Sequence, residues 1–326
     1  MTEISQTVQL GLTEMQISPM GIGTWAWGDR FFWAYGDTHS IEDVEATFMF
    51  CLEAGFNFFD TASIYGFGQN ERVLSQLLEK TDQTLIVASK LFPLPWRATE
   101  TSILRGVEGS VKRLGYKPID LYQQHWPIPP LSIEKWMSVF AKAHEEGLIR
   151  AIGGSNFNLA RMNRASTELE KHGLHLASNQ VHFSLIHRTP EFNGILDTCR
   201  NREITLFAYS PLGQGLLTGK YQPGGPRPKG MMRLGGEKLI QQLQPLIGEM
   251  RRIGEKHGDK TPAQVAINWV LCKGAIPLVG AKNARQAKEN RGALGWRLSE
   301  DEVSTLDKAS EEVQISFPME RLFGLN

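Results

Sequence analysis

The sequence predicts an α/β protein, a (β/α)8 barrel of the TIM type with a short N-terminal hairpin, on three observations. Short apolar runs of strand length alternate eight times with longer segments of helical spacing. The glycine-rich stretch GIGTWAWG at 21–28 lacks the GxGxxG spacing of a doubly wound nucleotide-binding sheet, and its tryptophans would crowd a pyrophosphate turn. The chain of 326 residues also suits one such barrel filling residues 1–326 as a single domain.

The elements follow in order. TVQLGLTEMQIS at 7–18 reads as two short strands around a turn. MGIGTW at 20–25 is the first barrel strand, and Ser40 with Asp43 has the spacing of a capping box for a helix burying Val44, Phe48, Cys51 and Leu52. FNFFD at 56–60 is the second strand, after which Asn70 is expected to cap a helix with Val73, Leu74, Leu77 and Leu78 inward. TLIVASK at 84–90 is the third; its helix carries Ile103, Val107, Val111 and Leu114 and ends at Gly115. IDLYQQHW at 119–126 is the fourth, with Ser132 capping the helix of Trp136, Val139, Phe140 and Ala143.

LIRAIGGSN at 148–156 and HLASNQVHF at 175–183 are the fifth and sixth strands, joined by a helix with Leu159, Met162, Ala165 and Leu169. Thr189-Pro190 has the N-cap and first-turn chemistry of one helix running through Ile195, Leu196 and Cys199. ITLFAYSPL at 204–212 is the seventh strand and GAIPLVGA at 274–281 the eighth. Between them, residues 213–236 form a long loop rich in glycine, proline and basic side chains, followed by helices starting near Leu239 and at Thr261-Pro262. Ser299 and Glu302 open a last helix as a capping box.

Composition narrows the function. Lys plus Arg and Asp plus Glu both number 35, so no net field draws the chain to nucleic acid or to a membrane surface. The 3 cysteines are far apart and none sits in a metal-like grouping, which predicts no metal site and buried thiols in a reducing compartment. With no leader-like start and no run of 18 apolar residues, a cytoplasmic location is expected.

Chemistry in a barrel concentrates where the strands end, because the loops converge there on rigid supports. Asp60, Lys90 and His125 leave the second, third and fourth strands, and Tyr65 follows Asp60 by five residues. This set suits carbonyl reduction: the developing alkoxide needs a proton, which Tyr65 can give. Lys90 would draw the phenol below its ordinary value near 10, Asp60 would hold Lys90, and His125 would direct the substrate oxygen and share the proton relay at low pH. Each residue taken alone also has a structural reading as a cap, a solvated strand end, a packing ring or a rim polar group. Ser155, Asn156 and Gln180 offer polar groups for a carboxamide, Tyr209 a ring for a flat nicotinamide, and Lys282 a cation for a phosphate. Trp27, Phe92, Trp96 and Trp126 follow strands one, three, three and four, and are expected to wall a substrate pocket.

The chain closely resembles the aldo-keto reductases along nearly its whole length. The resemblance is carried by GIGTWAWG, FFDTASIYGFGQNE at 58–71, ASK at 88–90, GVEGSVKRLGYKPIDLYQQHWP at 106–127, GLIRAIGGSNF at 147–157, NQVHFSL at 179–185, FAYSPLGQGLLTGKY at 207–221, and 261–290. It implies a barrel binding NADP(H) extended, with Asp60, Tyr65, Lys90 and His125 as the catalytic set. It also implies that Ser155, Asn156 and Gln180 hold the carboxamide and that Tyr209 stacks on the nicotinamide. By the same likeness Ser210, Leu212, Gly213 and Gly215 pass near the pyrophosphate under the 213–236 loop, Lys282 faces the 2′-phosphate, and Glu289 and Asn290 approach the adenine. Two positions depart from the pattern: Gly154 stands where many relatives have an apolar residue, and Gln286 where some branches have arginine. The second leaves Lys282 and Arg285 for the phosphate and makes NAD(H) an alternative nucleotide.

Within the family the chain looks most like bacterial and plant members acting on small or aromatic aldehydes, pyridoxal included. The expected partner is therefore a small-molecule carbonyl substrate, with the chain a monomer. Two other readings are a Schiff-base lyase using Lys90 as nucleophile and a nucleotide-binding auxiliary subunit of a channel.

Overall fold

The computed structural model describes residues 6–116, 118–225, 236–313 and 315. Residues 226–235 of the expected 213–236 loop lie outside that range. β1 (Val8–Gln9) and β2 (Gln16–Ile17) form the antiparallel hairpin. The barrel strands are β3 (Gly21–Gly23), β4 (Phe58–Asp60), β5 (Ile86–Leu91), β6 (Ile119–Gln124), β7 (Ile149–Ser155), β8 (Leu176–His182), β9 (Thr205–Tyr209) and β10 (Ile276–Gly280). They pair in parallel in that order, and β10 returns to β3 to close the ring. All eight predicted strands are present, each shorter than its apolar run.

A parallel strand in such a ring is buried on both faces, which is why these segments read as continuous apolar runs. All six residues of β5 and all six of β6 are buried. At the end of the barrel where the strands begin, Phe58, Ile86, Ala88, Leu121, Ala151, Ala177, Phe207, Ile276 and Leu278 pack together, and the hairpin plugs them with Leu10, Met15 and Ile17. Gly11 permits that close approach: a Cβ there would stand 2.5 Å from the Ala177 carbonyl oxygen, at a φ of +52°.

Outside the ring lie α1 (Arg30–Trp33), α2 (Ile41–Glu53), α3 (Gln69–Leu78), α4 (Glu100–Leu114), α5 (Ile133–Glu145) and α6 (Leu159–Glu170). They continue as α7 (Thr189–Phe192), α8 (Ile195–Asn201), α9 (Gly236–Lys256), α10 (Pro262–Cys272), α11 (Ala284–Arg291) and α12 (Glu300–Ser310). The expected caps at Ser40, Ser132, Thr261 and Ser299 are formed, three of them as reciprocal capping boxes, and Gly115 ends α4 in the left-handed conformation. Among the described residues no helix is long and apolar enough to cross a membrane.

Two local expectations are corrected. Asn70 does not cap α3: it lies in the first turn, fully buried, and its Nδ2 donates to the carbonyls of Thr24 and Trp25 at 2.8 Å each. The helix expected from Thr189-Pro190 is two helices, because Gly194 at φ 79° breaks the chain between α7 and α8, and Thr189 is the first residue of α7 rather than its cap. The four-residue helix α1 has no apolar periodicity; Asp29 starts it by accepting from the Phe32 amide.

Candidate active site

Asp60 is the last residue of β4, and Lys90 lies one position before the end of β5, so the pleat turns both into the mouth of the barrel. The Lys90 ammonium donates to Asp60 Oδ1 at 2.5 Å and to the Thr61 carbonyl at 2.8 Å. Both side chains are cut off from water, at 0% and 4% exposure. The second carboxylate oxygen accepts from Gln180 Nε2 at 3.1 Å and Gln123 Nε2 at 3.4 Å. Burial opposes either charge, raising Asp60 and lowering Lys90, while each charge pulls its partner back towards ionisation.

Tyr65 opens a tight turn, Tyr65–Gly68, in which Gly66, Phe67 and Gly68 all have positive φ. Its ring sits between several neighbours: the Lys90 ammonium is 5.2 Å from the ring centroid, Trp25 stacks on it at 5.3 Å, and His125 meets it edge-on at 5.6 Å. Phe92 packs edge-on against His125 at 5.7 Å. His125 follows β6, where its amide donates to the Leu91 carbonyl at 3.0 Å, and its buried Nδ1 has no hydrogen-bond partner. The four predicted residues therefore converge on one buried cluster.

Two electrostatic expectations change. The Tyr65 phenol is held well above its ordinary range, first by burial and then by the neighbouring Asp60, Tyr209 and Asp29; Lys90 is bound to Asp60 and Thr61 and meets Tyr65 through its ring. His125 is held well below its ordinary range by burial and by the Lys90 charge, which favours the neutral ring.

The residues expected around a nicotinamide also meet. Ser155 ends β7 and its hydroxyl donates to the Gln180 carbonyl at 3.0 Å. Asn156, at φ 61°, donates to the His125 carbonyl at 3.2 Å and accepts from the Tyr209 hydroxyl at 3.0 Å. The Tyr209 ring stacks on His182 at 5.2 Å, and His182 on His187 at 4.2 Å, so the ring lies on a support of imidazoles. Gln180 differs from expectation in that its Nε2 is engaged by Asp60.

After β9 the backbone is left-handed at Ser210, Gly213, Gln214 and Gly215. A Cβ at Gly213 would stand 2.5 Å from Ile186 Cδ1. Lys282 Nζ donates to the Trp33 carbonyl at 3.0 Å and lies 5.1 Å over the Trp33 ring, which points it towards α1. Gln286 accepts from the Lys282 amide at 2.9 Å. Asn290 is buried and donates to the Gly280 carbonyl at 3.2 Å, while Glu289 is half-buried on the same helix.

The expected aromatic wall is partly wrong. Trp27 is fully buried behind the strand layer, its indole N–H donating to the Ala281 carbonyl at 2.8 Å and its ring tilted on Phe59. Trp96 is 70% exposed in the loop after β5. Trp126 is half-buried, and its carbonyl accepts from Gln124 Nε2 at 3.1 Å. Trp25 takes the place expected of Trp27. The two alternate in sequence, but β3 ends at Gly23 and the chain turns back, with the Trp27 amide donating to the Thr24 carbonyl at 2.8 Å. Strand alternation could not show which indole faces the mouth. Asp29 was also missed; it is buried and accepts from the Trp25 indole at 2.9 Å.

Comparison with known proteins identifies the family. The profile of the Aldo/keto reductase family matches residues 19–311. A chloroplastic pyridoxal reductase of Arabidopsis thaliana is 37% identical over 325 residues, covering 94% of this chain and 86% of that protein. An Escherichia coli protein named NADH-specific methylglyoxal reductase is 29% identical, covering 94% and 99%. The solved structure of a glycerol dehydrogenase from Gluconobacter oxydans superposes with a TM-score of 0.82 at 27% identity, covering 95% of this chain and 97% of that one. The chain belongs to the aldo/keto reductase family of oxidoreductases.

Proposed function

We propose that this protein reduces aldehydes or ketones to alcohols with NADP(H) as its nucleotide, Tyr65 acting as the proton donor. The observation that carries the reading is the buried cluster in which Tyr65 lies against His125 and over an Asp60–Lys90 ion pair. The residues suit a nicotinamide nucleotide. Asn156 and Ser155 present amide and hydroxyl groups at strand ends, Tyr209 offers a braced flat face, and the backbone is left-handed at Ser210, Gly213, Gln214 and Gly215. When bound, a reduced nicotinamide supplies a hydride equivalent to the carbonyl carbon.

The chain's own groups do the rest. The elevated phenol of Tyr65 stays protonated throughout the neutral range, so its O–H is ready to donate to the substrate oxygen as negative charge grows there. Neutral His125 presents a ring N–H to the same oxygen without placing a competing cation beside it. Asp60 holds the Lys90 ammonium against the Tyr65 ring, 5.2 Å from its centroid, and the Asp60 charge keeps the phenol in its protonated, donating form. Trp25 and Phe92 line the cluster and exclude water, which strengthens each of these interactions.

Lys282 is the cation for a 2′-phosphate, beside the N-terminus of α11. The relative named NADH-specific keeps NAD(H) as the second nucleotide to assay. Engagement of the Lys90 ammonium by Asp60, in an ion pair, and by Thr61 disfavours the Schiff-base reading. The substrate is a small carbonyl compound taken up by a monomer. A cytoplasmic location is part of this reading, resting on the far-apart cysteines of the sequence.

The test is Tyr65→Phe, which removes one oxygen. With an aromatic aldehyde and NADPH, kcat should fall by about 10²–10⁴-fold, while nucleotide affinity measured by protein fluorescence stays within about twofold. An unchanged rate would remove Tyr65 from the chemistry.

A further inference from the structure

Beside the cluster, the chain leaves three large aromatic rings in water. Phe31, Phe32 and Phe67 are 81%, 71% and 75% exposed. Solvent-exposed aromatic surface of this kind, grouped instead of scattered, marks a binding face. These rings are grouped: Phe31 meets Phe67 edge-on at 6.0 Å, and Phe32 meets Trp25 at 5.6 Å. Trp25 in turn stacks on Tyr65 and meets Trp33 edge-on at 5.6 Å. The aromatic surface is therefore continuous with the ring that carries the proposed proton donor.

The backbone beneath is built to hold the rings out. Asp29 accepts from the Phe32 amide at 2.8 Å, which starts α1, and from the Trp25 indole, which fixes that ring against Tyr65. Phe67 sits at a φ of +54°, a region that bulky L residues rarely occupy and that costs free energy to hold. The turn thus keeps a strained phenylalanine that the core does not bury.

We propose that Phe31, Phe32 and Phe67 form a distal aromatic subsite for the far end of an extended aryl aldehyde, one with a second ring or an apolar tail beyond the carbonyl-bearing ring. The inference deepens the carbonyl-reductase reading and rests on it. The inner ring of such a substrate lies among Trp25, Tyr65, Phe92 and His125. Its outer ring meets the rim, where edge-to-face and offset contacts at 5–6 Å are favoured. Specificity at the rim acts on substrate length and leaves the chemical step to the inner cluster.

The test compares 4-phenylbenzaldehyde with benzaldehyde in the parent, in Phe31→Ala/Phe67→Ala and in Leu12→Ala, a control on the hairpin at the opposite end of the barrel. In the double variant the ratio of kcat/KM for the two-ring aldehyde to that for the one-ring aldehyde should drop about tenfold, mainly through KM. The control should leave the ratio unchanged. A ratio that stays constant in the double variant overturns the subsite. Binding of the corresponding alcohols, 4-phenylbenzyl and benzyl, followed by tryptophan fluorescence, gives a readout independent of turnover. The parent should prefer the two-ring alcohol and the double variant should lose that preference; no preference in the parent also overturns the subsite. Retained two-ring preference with no turnover of either aldehyde would instead overturn the carbonyl-reductase reading and leave the subsite standing.

Discussion

Gly154 shows how a single missing side chain shapes the ground under the site. A Cβ there would stand 2.4 Å from the Phe157 ring, which is fully buried. Phe157 is tied to β8 through Asn179, whose Oδ1 accepts from the Phe157 amide at 3.3 Å and whose Nδ2 donates to the Phe157 carbonyl at 2.9 Å. The ring has little room to retreat. Gly154→Val should therefore lower the stability by about 1–3 kcal/mol, the usual cost of overpacking, read as a lower denaturant midpoint with an unchanged slope. Parent-like stability would mean that the ring moves freely. At this scale the sequence was legible where strand ends bring residues together: Asp60, Lys90 and His125 leave consecutive strands, Tyr65 follows Asp60 by five residues, and the four meet in one cluster. It was not legible where the answer depends on how a turn folds back, which is why Trp25 and Trp27 exchange roles. Nor could it show Gln180 bonded to Asp60, a contact between strands 120 residues apart in sequence.

The elements that carry Tyr65 are pinned by an ion pair that local pattern does not reveal. Glu71 in the first turn of α3 is fully buried. Its carboxylate accepts from the Ser89 hydroxyl at 2.6 Å, beside Lys90, and from Arg113 Nε at 2.6 Å, near the end of α4. Arg113 also lies directly under the Tyr65 turn, since a Cβ on Gly68 would be 2.7 Å from its Cδ. One guanidinium thus ties α3, α4 and the turn together. Arg113→Met keeps the apolar stem and strands a buried carboxylate. Losing one partner of a buried pair costs about 3–5 kcal/mol; the Arg113 side chain is 23% exposed, so water softens the loss to about 2–3 kcal/mol. The double variant Glu71→Gln/Arg113→Met, whose neutral amide can still accept from Ser89, should recover part of it in a denaturation cycle. A loss below about 0.5 kcal/mol in the single variant would show that the pair pins nothing. Strand runs and Ser or Thr caps were legible because each depends on a few adjacent residues. Asn70 misled because its amide is used in tertiary bonds to the turn after β3, and the break at Gly194 because glycine alone does not say whether a helix ends.

Over the whole molecule, closure of the barrel buries imidazoles that have no use for a charge, and this sets the acid side of stability. Burial pushes His182 down to about 3, with the rings of Tyr209 and His187 stacked against it. His125 is also depressed, by burial and the Lys90 charge, and His39 by burial and the Lys282 charge. In the unfolded chain all three titrate near 6.5. As pH falls below that value the unfolded state takes up protons that the folded state refuses, so the stability present above pH 6.5 is lost progressively on the way down. For a histidine that stays neutral in the fold, the loss between pH 7 and 5 is about 2 kcal/mol. Asp60 and Asp120 work in the opposite sense: burial raises both carboxyls, so the folded state takes up their protons earlier and recovers some stability at lower pH. The histidine loss and this carboxyl recovery therefore oppose each other as the pH falls. His182→Phe keeps a flat ring against Tyr209 and removes one titrating group. Urea unfolding of the parent should show a steep loss of stability between pH 7 and 5, and the variant should lose about 2 kcal/mol less over the same interval. If parent and variant lose stability in parallel, His182 is protonated within the fold and the stack of rings does not exclude its charge.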